Sequence, residues 1–242
     1  MCAYNIEWDK TGERRYEVGV DRGVLYPTKV TAAADITAGK AYTGAVPWNG
    51  LTSVTDSPSG AEANDIYADN IKYATLRSAE TFGGTIEAYM YPDEFSACNG
   101  EATPEGLTGV YVGQQARKPF GFCYRSDVGD DSESSIDTET NYKLHLWWNC
   151  TASPSERQYQ TINESPDAMT MSWEISTTPI SLKVAGMKPT ASMTIDTSKL
   201  DGGVNNAKFI ALLDVLYGTS EGGTTTPGYL PTPDKVIELL TP

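Results

Sequence analysis

The sequence predicts a mostly β protein with one flanking α-helix, and three observations support that fold class. Short segments alternate apolar and polar residues, most clearly 169–176, where every second residue is apolar: Met169, Met171, Trp173 and Ile175. Only residues 205–217 repeat apolar side chains at three and four positions, and Gly218 follows them as a C-terminal cap. Glycines and prolines separate the remaining segments, as is typical of short strands joined by turns.

The first hundred residues are expected to contain strands around one long loop. Residues 16–26 alternate weakly up to a proline and predict a strand, whereas residues 28–44 fit a second strand or a loop. Residues 47–70 are rich in turn formers and predict a long extended loop that carries isolated apolar residues: Trp48, Leu51, Val54, Ile66 and Tyr67. Residues 71–91 predict a strand pair with its tight turn at Gly83-Gly84.

The second half of the chain predicts further strands and one acidic loop. Residues 110–125 fit two short strands, and residues 127–140 form an acidic surface loop. Residues 142–148 predict a strand in which Trp147 and Trp148 point to opposite faces, so we expect at most one of them in the core. Two more short strands are expected, at 180–184 and 191–195.

Both ends of the chain are expected to be arms on a single domain that spans residues 1–242. The arm 1–15 has one aromatic residue outside any periodic element, Trp8, and the arm 219–242 has three such apolar residues: Val236, Ile237 and Leu240. An apolar C-terminus after a flexible linker can dock on its own domain or on a neighbour. We expect both arms to lie largely on neighbouring subunits, because burying such side chains stabilises by about 1.5–3 kcal/mol each.

The charge and composition bear on partners and location. The 242 residues carry a net charge of −14, which argues against nucleic acid or an anionic membrane as the default binding partner. No apolar run is long enough to span a membrane, and the N-terminus lacks the basic and apolar regions of a signal peptide. The four widely spaced cysteines fit reduced thiols in a cytoplasmic product.

No pattern of residues predicts catalysis or a cofactor. His145 is the only histidine and has no nucleophile motif around it, and the carboxylates Glu80 and Glu87 form a pair of a kind expected by chance among 32 acidic residues. The acidic loop does not match a calcium-binding loop, and the phosphate-binding glycine motifs are missing. We therefore expect no enzyme, no metal site and no cofactor.

Several long blocks resemble a known family. They include P-W-N-G-L-T-S-V-T-D-S-P-S-G-A-E at 47–62, which continues to residue 95, and G-E-R-R-Y-E-V-G-V-D-R-G-V-L-Y-P at 12–27. Two others are G-Q-Q-A-R-K-P-F-G-F-C-Y-R at 113–125 and S-P-S-E-R-Q-Y-Q-T-I-N-E-S-P at 153–166. In order and content these blocks resemble the major tail tube proteins of long-tailed, siphovirus-type bacteriophages.

The resemblance implies a structural virion protein with a β-sandwich or barrel fold and one flanking helix. Such a protein would form homo-hexameric rings that stack into a tube and conduct genomic DNA into the host without binding it specifically. The implied partners are further copies of the chain, a tape measure protein in the lumen, and tail terminator and baseplate or distal tail proteins at the ends. The implied location is the virion tail, assembled in the host cytoplasm and without membrane contact.

These implications assign expected roles to particular residues. Residues 47–70 are expected to order against the next ring through Trp48, Leu51, Val54, Ile66 and Tyr67. Carboxylates on polar strand faces are expected to line the lumen and repel phosphates: Glu174, with Glu80 and Glu87. The alternative is a receptor-binding or carbohydrate-binding β domain of a phage tail or capsid, which would present an aromatic-lined pocket.

Overall fold

The computed structural model describes residues 8, 14–131, 141–159, 161, 168–221 and 224–241. The described residues form β1 (Arg15–Tyr26), β2 (Thr28–Lys29), β3 (Lys40–Thr43), β4 (Val46–Pro47), β5 (Leu51–Asp56), β6 (Ala63–Ala68), β7 (Ile71–Arg77), β8 (Gly83–Ala88), β9 (Phe120–Asp130), β10 (Tyr142–Ala152), β11 (Met171–Thr177), β12 (Ser192–Asp196), β13 (Gly218–Glu221), β14 (Thr224–Pro227) and β15 (Tyr229–Pro231). Three helices accompany them: α1 (Ala33–Thr37), α2 (Ala207–Tyr217) and α3 (Pro233–Leu240). The predicted mostly β fold with a flanking helix is confirmed.

The main sheet is antiparallel and curls on itself. Its strand order is β4-β1-β9-β10-β11-β8-β5, and β12 pairs with the first half of β10 while β11 pairs with the second half. The two ends of this order meet, because β1 packs against β5. Gly23 makes the approach possible, since a Cβ at that position would collide with the side chain of Leu51.

Two apolar cores lie on opposite faces of β9 and β10. Inside the curl, Trp147 belongs to one core with aromatic residues from two strands and two connecting segments: Phe122, Trp173, Trp48 and Phe95. On the outer face, Trp148 packs under α2, α3, β3 and β15, and its indole Nε1 donates to the carbonyl oxygen of Pro231 at 2.8 Å. The expectation that at most one of Trp147 and Trp148 enters the core is therefore wrong. Both are buried because this part of the sheet is covered on each face.

The predicted helix is confirmed as α2, and its ends follow from its caps. The side chain of Asn206 accepts hydrogen bonds from the backbone N–H groups of Lys208 and Phe209, which fixes the first turn. Gly218 ends the helix with a positive φ of 78°. Two helices were not anticipated, α1 and α3; α3 begins at Pro233 after Thr232, whose hydroxyl accepts from Lys235 N–H.

Most of the other expected strands exist with different bounds. The strands expected from 16–26 and 191–195 are present as β1 and β12, and that from 169–176 begins two residues later, as β11. Instead of two short strands in 110–125, a single strand starts at Phe120 and runs into the stretch expected to be an acidic loop. Residues 132–140 of that loop lie outside the described residues.

The segment expected as a long loop is a long antiparallel ribbon. β5 pairs with β8, the ladder continues through the bridge between Ser59 and Thr81, and β6 pairs with β7 beyond it. The turn lies at Asp69-Asn70, whose φ values of 51° and 61° suit a two-residue hairpin. The turn expected at Gly83-Gly84 is wrong: both glycines lie within β8, where a Cβ on Gly84 would sit 2.6 Å from Cη2 of Trp147.

Candidate assembly surfaces

The outer part of the ribbon, residues 60–80, exposes apolar side chains and is called the outer ribbon below. β6 and β7 form a two-stranded sheet of their own. Five large apolar side chains in them are between 40% and 73% exposed: Ile66, Tyr67, Ile71, Tyr73 and Leu76. An isolated two-stranded hairpin is at best marginally stable in water, so this element gains stability from any surface that covers it.

Polar contacts within the outer ribbon fix its strand register. The carboxylate of Asp65 accepts from the ammonium of Lys72 at 2.8 Å and from the hydroxyl of Thr75 at 2.7 Å. These two hydrogen bonds, first that from Lys72, lower the pKa of Asp65 below its ordinary value. The pairing holds the two strands together while leaving their apolar side chains free to contact something else.

A backbone kink separates the outer ribbon from the sheet. Gly60 has a φ of 90° and Ala61 a φ of 55°, both in the left-handed region. A Cβ on Gly60 would collide with the carbonyl oxygen of Ala79 on the opposite strand. The glycine therefore sets the direction in which the outer ribbon leaves the sheet.

The structure divides the residues expected to contact the next ring into two groups. Trp48 is 2% exposed, and its indole Nε1 donates to the carbonyl oxygen of Met90 at 2.9 Å, so it has no surface to offer another subunit. Leu51 and Val54 pack against the same core. Only Ile66 and Tyr67 lie on the outer ribbon. Trp48, Leu51 and Val54 thus join a core built by distant strands and are not part of the exposed ribbon surface.

Sequence reasoning missed the other half of the apolar set on the outer ribbon. Ile71, Tyr73 and Leu76 were assigned to a strand paired with residues beyond Gly83, which would have placed them inside the sheet. The signal that could have located them is Asp69-Asn70, two residues that tolerate positive φ between two apolar stretches.

A second exposed apolar surface lies at the opposite end of β5 and β8, and we call it the end patch. Its six large side chains are between 45% and 54% exposed: Tyr89, Met90, Leu107, Val110, Tyr111 and Val112. Tyr89, Met90 and Tyr111 line a recess of about 240 Å³ together with Asp93 and Met171. A backbone bridge between Ala102 and Val112 closes the loop that carries the rest. The sequence predicted strands for most of these residues: Tyr89 and Met90 fall in the strand pair expected over 71–91, and residues 110–112 fall in the strands expected over 110–125.

The outward face of β5, β8 and β11 is polar and acidic. It consists of hydroxyl side chains and two carboxylates: Ser53, Thr55, Thr85, Glu87, Ser172, Glu174 and Ser176. Glu87 accepts a hydrogen bond from Ser53 at 2.8 Å, and Glu174 lies opposite Thr85 in the neighbouring strand. These three strands contain no lysine or arginine. The structure thus brings Glu87 and Glu174 together on one face, whereas Glu80 lies exposed on the outer ribbon.

The C-terminal residues pack on their own subunit, which corrects the expectation that this arm lies largely on a neighbour. Val236 is fully buried against α2 and the outer face of the sheet, and Ile237 and Leu240 are half-buried. The ammonium of Lys208 donates to the carbonyl oxygen of Thr241 at 2.5 Å. The arm docks because β15 pairs with β3. Trp8 is 70% exposed, and most of the N-terminal arm lies outside the described residues.

The single histidine serves the packing of the sheet. The ring of His145 stacks on Tyr124 with centroids 4.5 Å apart, and its two nitrogens lie within hydrogen-bonding distance of the hydroxyls of Ser126 and Thr194. Burial lowers the pKa of His145 below its ordinary value, although the carboxylates Asp56 and Glu17 oppose the shift.

Among the described residues, three cysteine thiols are further candidates for chemistry. Cys98, Cys123 and Cys150 are buried and free, and burial raises the pKa of the Cys98 and Cys123 thiols to about 12. Within the described ranges, no group of three or more His, Cys, Asp or Glu side chains is placed to hold a metal ion. No helix among the described residues has the length and apolarity needed to cross a membrane.

Comparisons with known proteins found little similarity. No protein-family model matches the chain, and no curated protein matches it. Eight chains of solved structures match. One belongs to the "Cryo-EM Structure of an Extracellular Contractile Injection System, PVC sheath-tube complex in extended state", with 9% sequence identity over 72% of this chain and 88% of that chain. Its TM-score is 0.29, at which the likeness carries no argument about fold or function.

Proposed function

We propose that this protein is a structural subunit of a phage tail tube, in which homo-hexameric rings stack into a conduit for genomic DNA. The observation that carries the proposal is the outer ribbon, a β element whose large apolar side chains are exposed and are not covered by any other described part of the chain. Five exposed large apolar side chains on one two-stranded element are typical of a surface that another protein covers. The sequence blocks that resemble the major tail tube proteins of long-tailed phages support the same role.

The polar face of β5, β8 and β11 is the surface we assign to the lumen. Glu87 and Glu174 would present negative charge to DNA, and the hydroxyl groups around them offer no cation for a phosphate to bind. The other half of the sheet is unsuited to this role, because α2, α3 and β15 cover its outer face. In the assembled tail the tape measure protein, and later DNA, would pass along this face.

The proposed function is tested by assembly of the purified chain and of one shortened variant. In the variant, residues 60–80 are replaced by Asn-Gly, which joins the paired residues Ser59 and Thr81 through a two-residue turn. We expect the unaltered chain to form striated tubes or six-fold rings in negative-stain images. The shortened variant should stay folded and soluble, because the outer ribbon contributes no side chain to either core.

The bounds of the deletion, residues 60–80, follow from the bridge between Ser59 and Thr81. Replacing residues 50–68 instead would remove β5 from the main sheet and damage the subunit itself. Isolated monomers or trimers of the unaltered chain at every concentration would favour the receptor-binding or carbohydrate-binding alternative. Normal tubes from the shortened variant would show that the outer ribbon has no part in assembly.

A further inference from the structure

The outer ribbon and the end patch lie at opposite ends of the same pair of strands. At one end of β5 and β8, Asp56 pairs with Gly84 and the ribbon continues outward to its turn. At the other end, Leu51 pairs with Ala88, and the chain passes directly into Tyr89 and Met90. The paired strands β5 and β8 therefore carry the outer ribbon at one end and the end patch at the other.

We propose that the outer ribbon of one subunit docks on the end patch of a second copy of this chain, head to tail along β5 and β8. This inference rests on the proposed tube function and names the surface that receives the ribbon. A contact between two different surfaces at opposite ends repeats without closing, and so it builds a filament. One contact of this kind covers both apolar surfaces, whereas pairing each surface with itself would build a filament whose successive copies point in opposite directions.

The side chains of the two surfaces are chemically matched. The outer ribbon presents aromatic and β-branched groups, including Tyr67 and Tyr73. Met90 lines the recess of the end patch together with Tyr89 and Tyr111, and methionine adapts its shape to the group that packs on it. Lys72 lies beside the turn of the ribbon and Asp93 lines the recess, so opposite charges accompany the apolar contact.

Site-directed cross-linking of assembled material tests the pairing. Tyr67→Cys places a thiol on the outer ribbon and Tyr111→Cys places one in the end patch, each in a background with Cys2→Ser. The buried cysteines give little reaction, because the raised pKa of Cys98 and Cys123 keeps these thiols protonated. A flexible bis-maleimide should join the two variants when they are mixed and assembled, and should join neither variant alone.

A matched control uses Ile210→Cys, an exposed position on α2, mixed with Tyr67→Cys. This mixture should give no cross-linked dimer, since α2 covers the other side of the sheet. A double variant with Tyr67→Cys and Tyr111→Cys should give a ladder of dimers, trimers and longer species. A series of cross-linked species longer than a dimer would show that each subunit uses both surfaces at once.

Each other outcome overturns the inference in a recognisable way. Cross-linking of Tyr67→Cys alone would show that the ribbons pair with each other. Tubes that form normally but give no Tyr67–Tyr111 product would reject the end patch as the receptor and leave the tube function standing. Absence of any assembly from all variants and from the unaltered chain would reject both the inference and the proposed function.

Discussion

The inner and outer halves of the long ribbon both carry apolar side chains on paired strands, but those side chains lie in opposite environments. In the inner half, β5 and β8 turn Val54, Ile86 and Ala88 toward the core and their polar residues outward. In the outer half, β6 and β7 also carry large apolar residues, yet none of the elements that the structure describes covers them. The difference shows that a β pattern alone does not distinguish residues that fold the subunit from residues available for assembly.

What separates the two halves is the presence of neighbouring strands. The inner half lies between β11 and β1, so its apolar side chains meet Trp147 and Trp173. Beyond Gly60 the ribbon leaves the sheet and only its own two strands remain. Substitutions in the two halves test this division, because they should change the free energy of unfolding of the isolated subunit by different amounts.

Trp48→Ala should produce the greatest loss of stability. The side chain is buried, donates one hydrogen bond and contacts Phe95, with ring centroids 4.6 Å apart. Removing a buried tryptophan leaves a cavity, and we expect the free energy of unfolding to fall by about 3–5 kcal/mol. Chemical denaturation of the isolated subunit measures the loss.

Tyr67→Ala is the matched control for Trp48→Ala, since the sequence assigned both residues to the same interface. It should change the free energy of unfolding by less than about 0.5 kcal/mol, because its side chain is exposed on the outer ribbon. Equal losses in the two variants would abolish the distinction between the halves.

Gly60→Ala should have an intermediate effect at the boundary between the halves. The position combines a φ of 90° with a clash against the carbonyl oxygen of Ala79, so we expect a loss of about 1–3 kcal/mol and impaired tube formation. Gly186→Ala is the control, because it has a φ of 84° and no atom within 4 Å of the added Cβ. If both variants lose the same stability, the left-handed backbone alone explains the effect and the close approach does not.

A smaller, pH-dependent effect is expected at His145, near the point where the ribbon leaves the sheet. Its stacking partner Tyr124 donates to Asp56, the last residue of β5, at 3.2 Å. Since burial lowers the pKa of His145, the unfolded chain binds a proton below about pH 6.5 that the folded chain does not bind. Stability should therefore fall as the pH falls from about 7.5 to about 5.5.

The contribution of His145 is isolated by comparison with His145→Gln, which cannot take up this proton. Denaturation curves of both proteins at the two pH values should show a steeper loss for the unaltered subunit. Parallel losses would mean that the folded protein protonates His145 as readily as the unfolded chain does.

The sequence predicted what local patterns determine and missed what distant strands determine. The C-terminal end of α2 followed from Gly218 and its helical character from its apolar spacing, although it begins two residues later than predicted. β11 followed from its alternation, because this signal also lies within one segment. The burial of Trp48 depends on Phe122 and Trp173, far along the chain, and no local pattern indicates that they meet. The docking of the C-terminus likewise depends on the pairing of β15 with β3.

The candidate surfaces were predicted only in part for the same reason. The sequence indicated that Ile66 and Tyr67 do not pack into a core of their own. It placed their partners in β7 in the wrong hairpin, because two adjacent glycines at 83 and 84 are also typical of a turn. In the structure those glycines admit Trp147 close to the strand. Glu87 and Glu174 were chosen from their alternation, and the register of β8 against β11 places them on one face.

The smallest effect on folding is expected from Glu87→Lys combined with Glu174→Lys, on the outward face of the inner half. The free energy of unfolding should change by no more than about 1 kcal/mol, because Glu174 is exposed and Glu87 has only a hydroxyl partner. If this face lines the lumen, assembled tubes of the variant should retain DNA that tubes of the unaltered chain release, and retention should weaken as salt is raised.

The matched control, Asp201→Lys with Asp214→Lys, makes the same change of charge at exposed positions near or on α2, and its tubes should retain DNA only on their accessible outer surface. Nuclease digestion of tube-bound DNA separates the two cases: protected DNA is expected in the glutamate variant and digestible DNA in the control. Equal protection of DNA in both variants would show that the polar face does not line the lumen. The role of the outer ribbon in assembly would be unaffected by that result, because the shortened variant tests it separately.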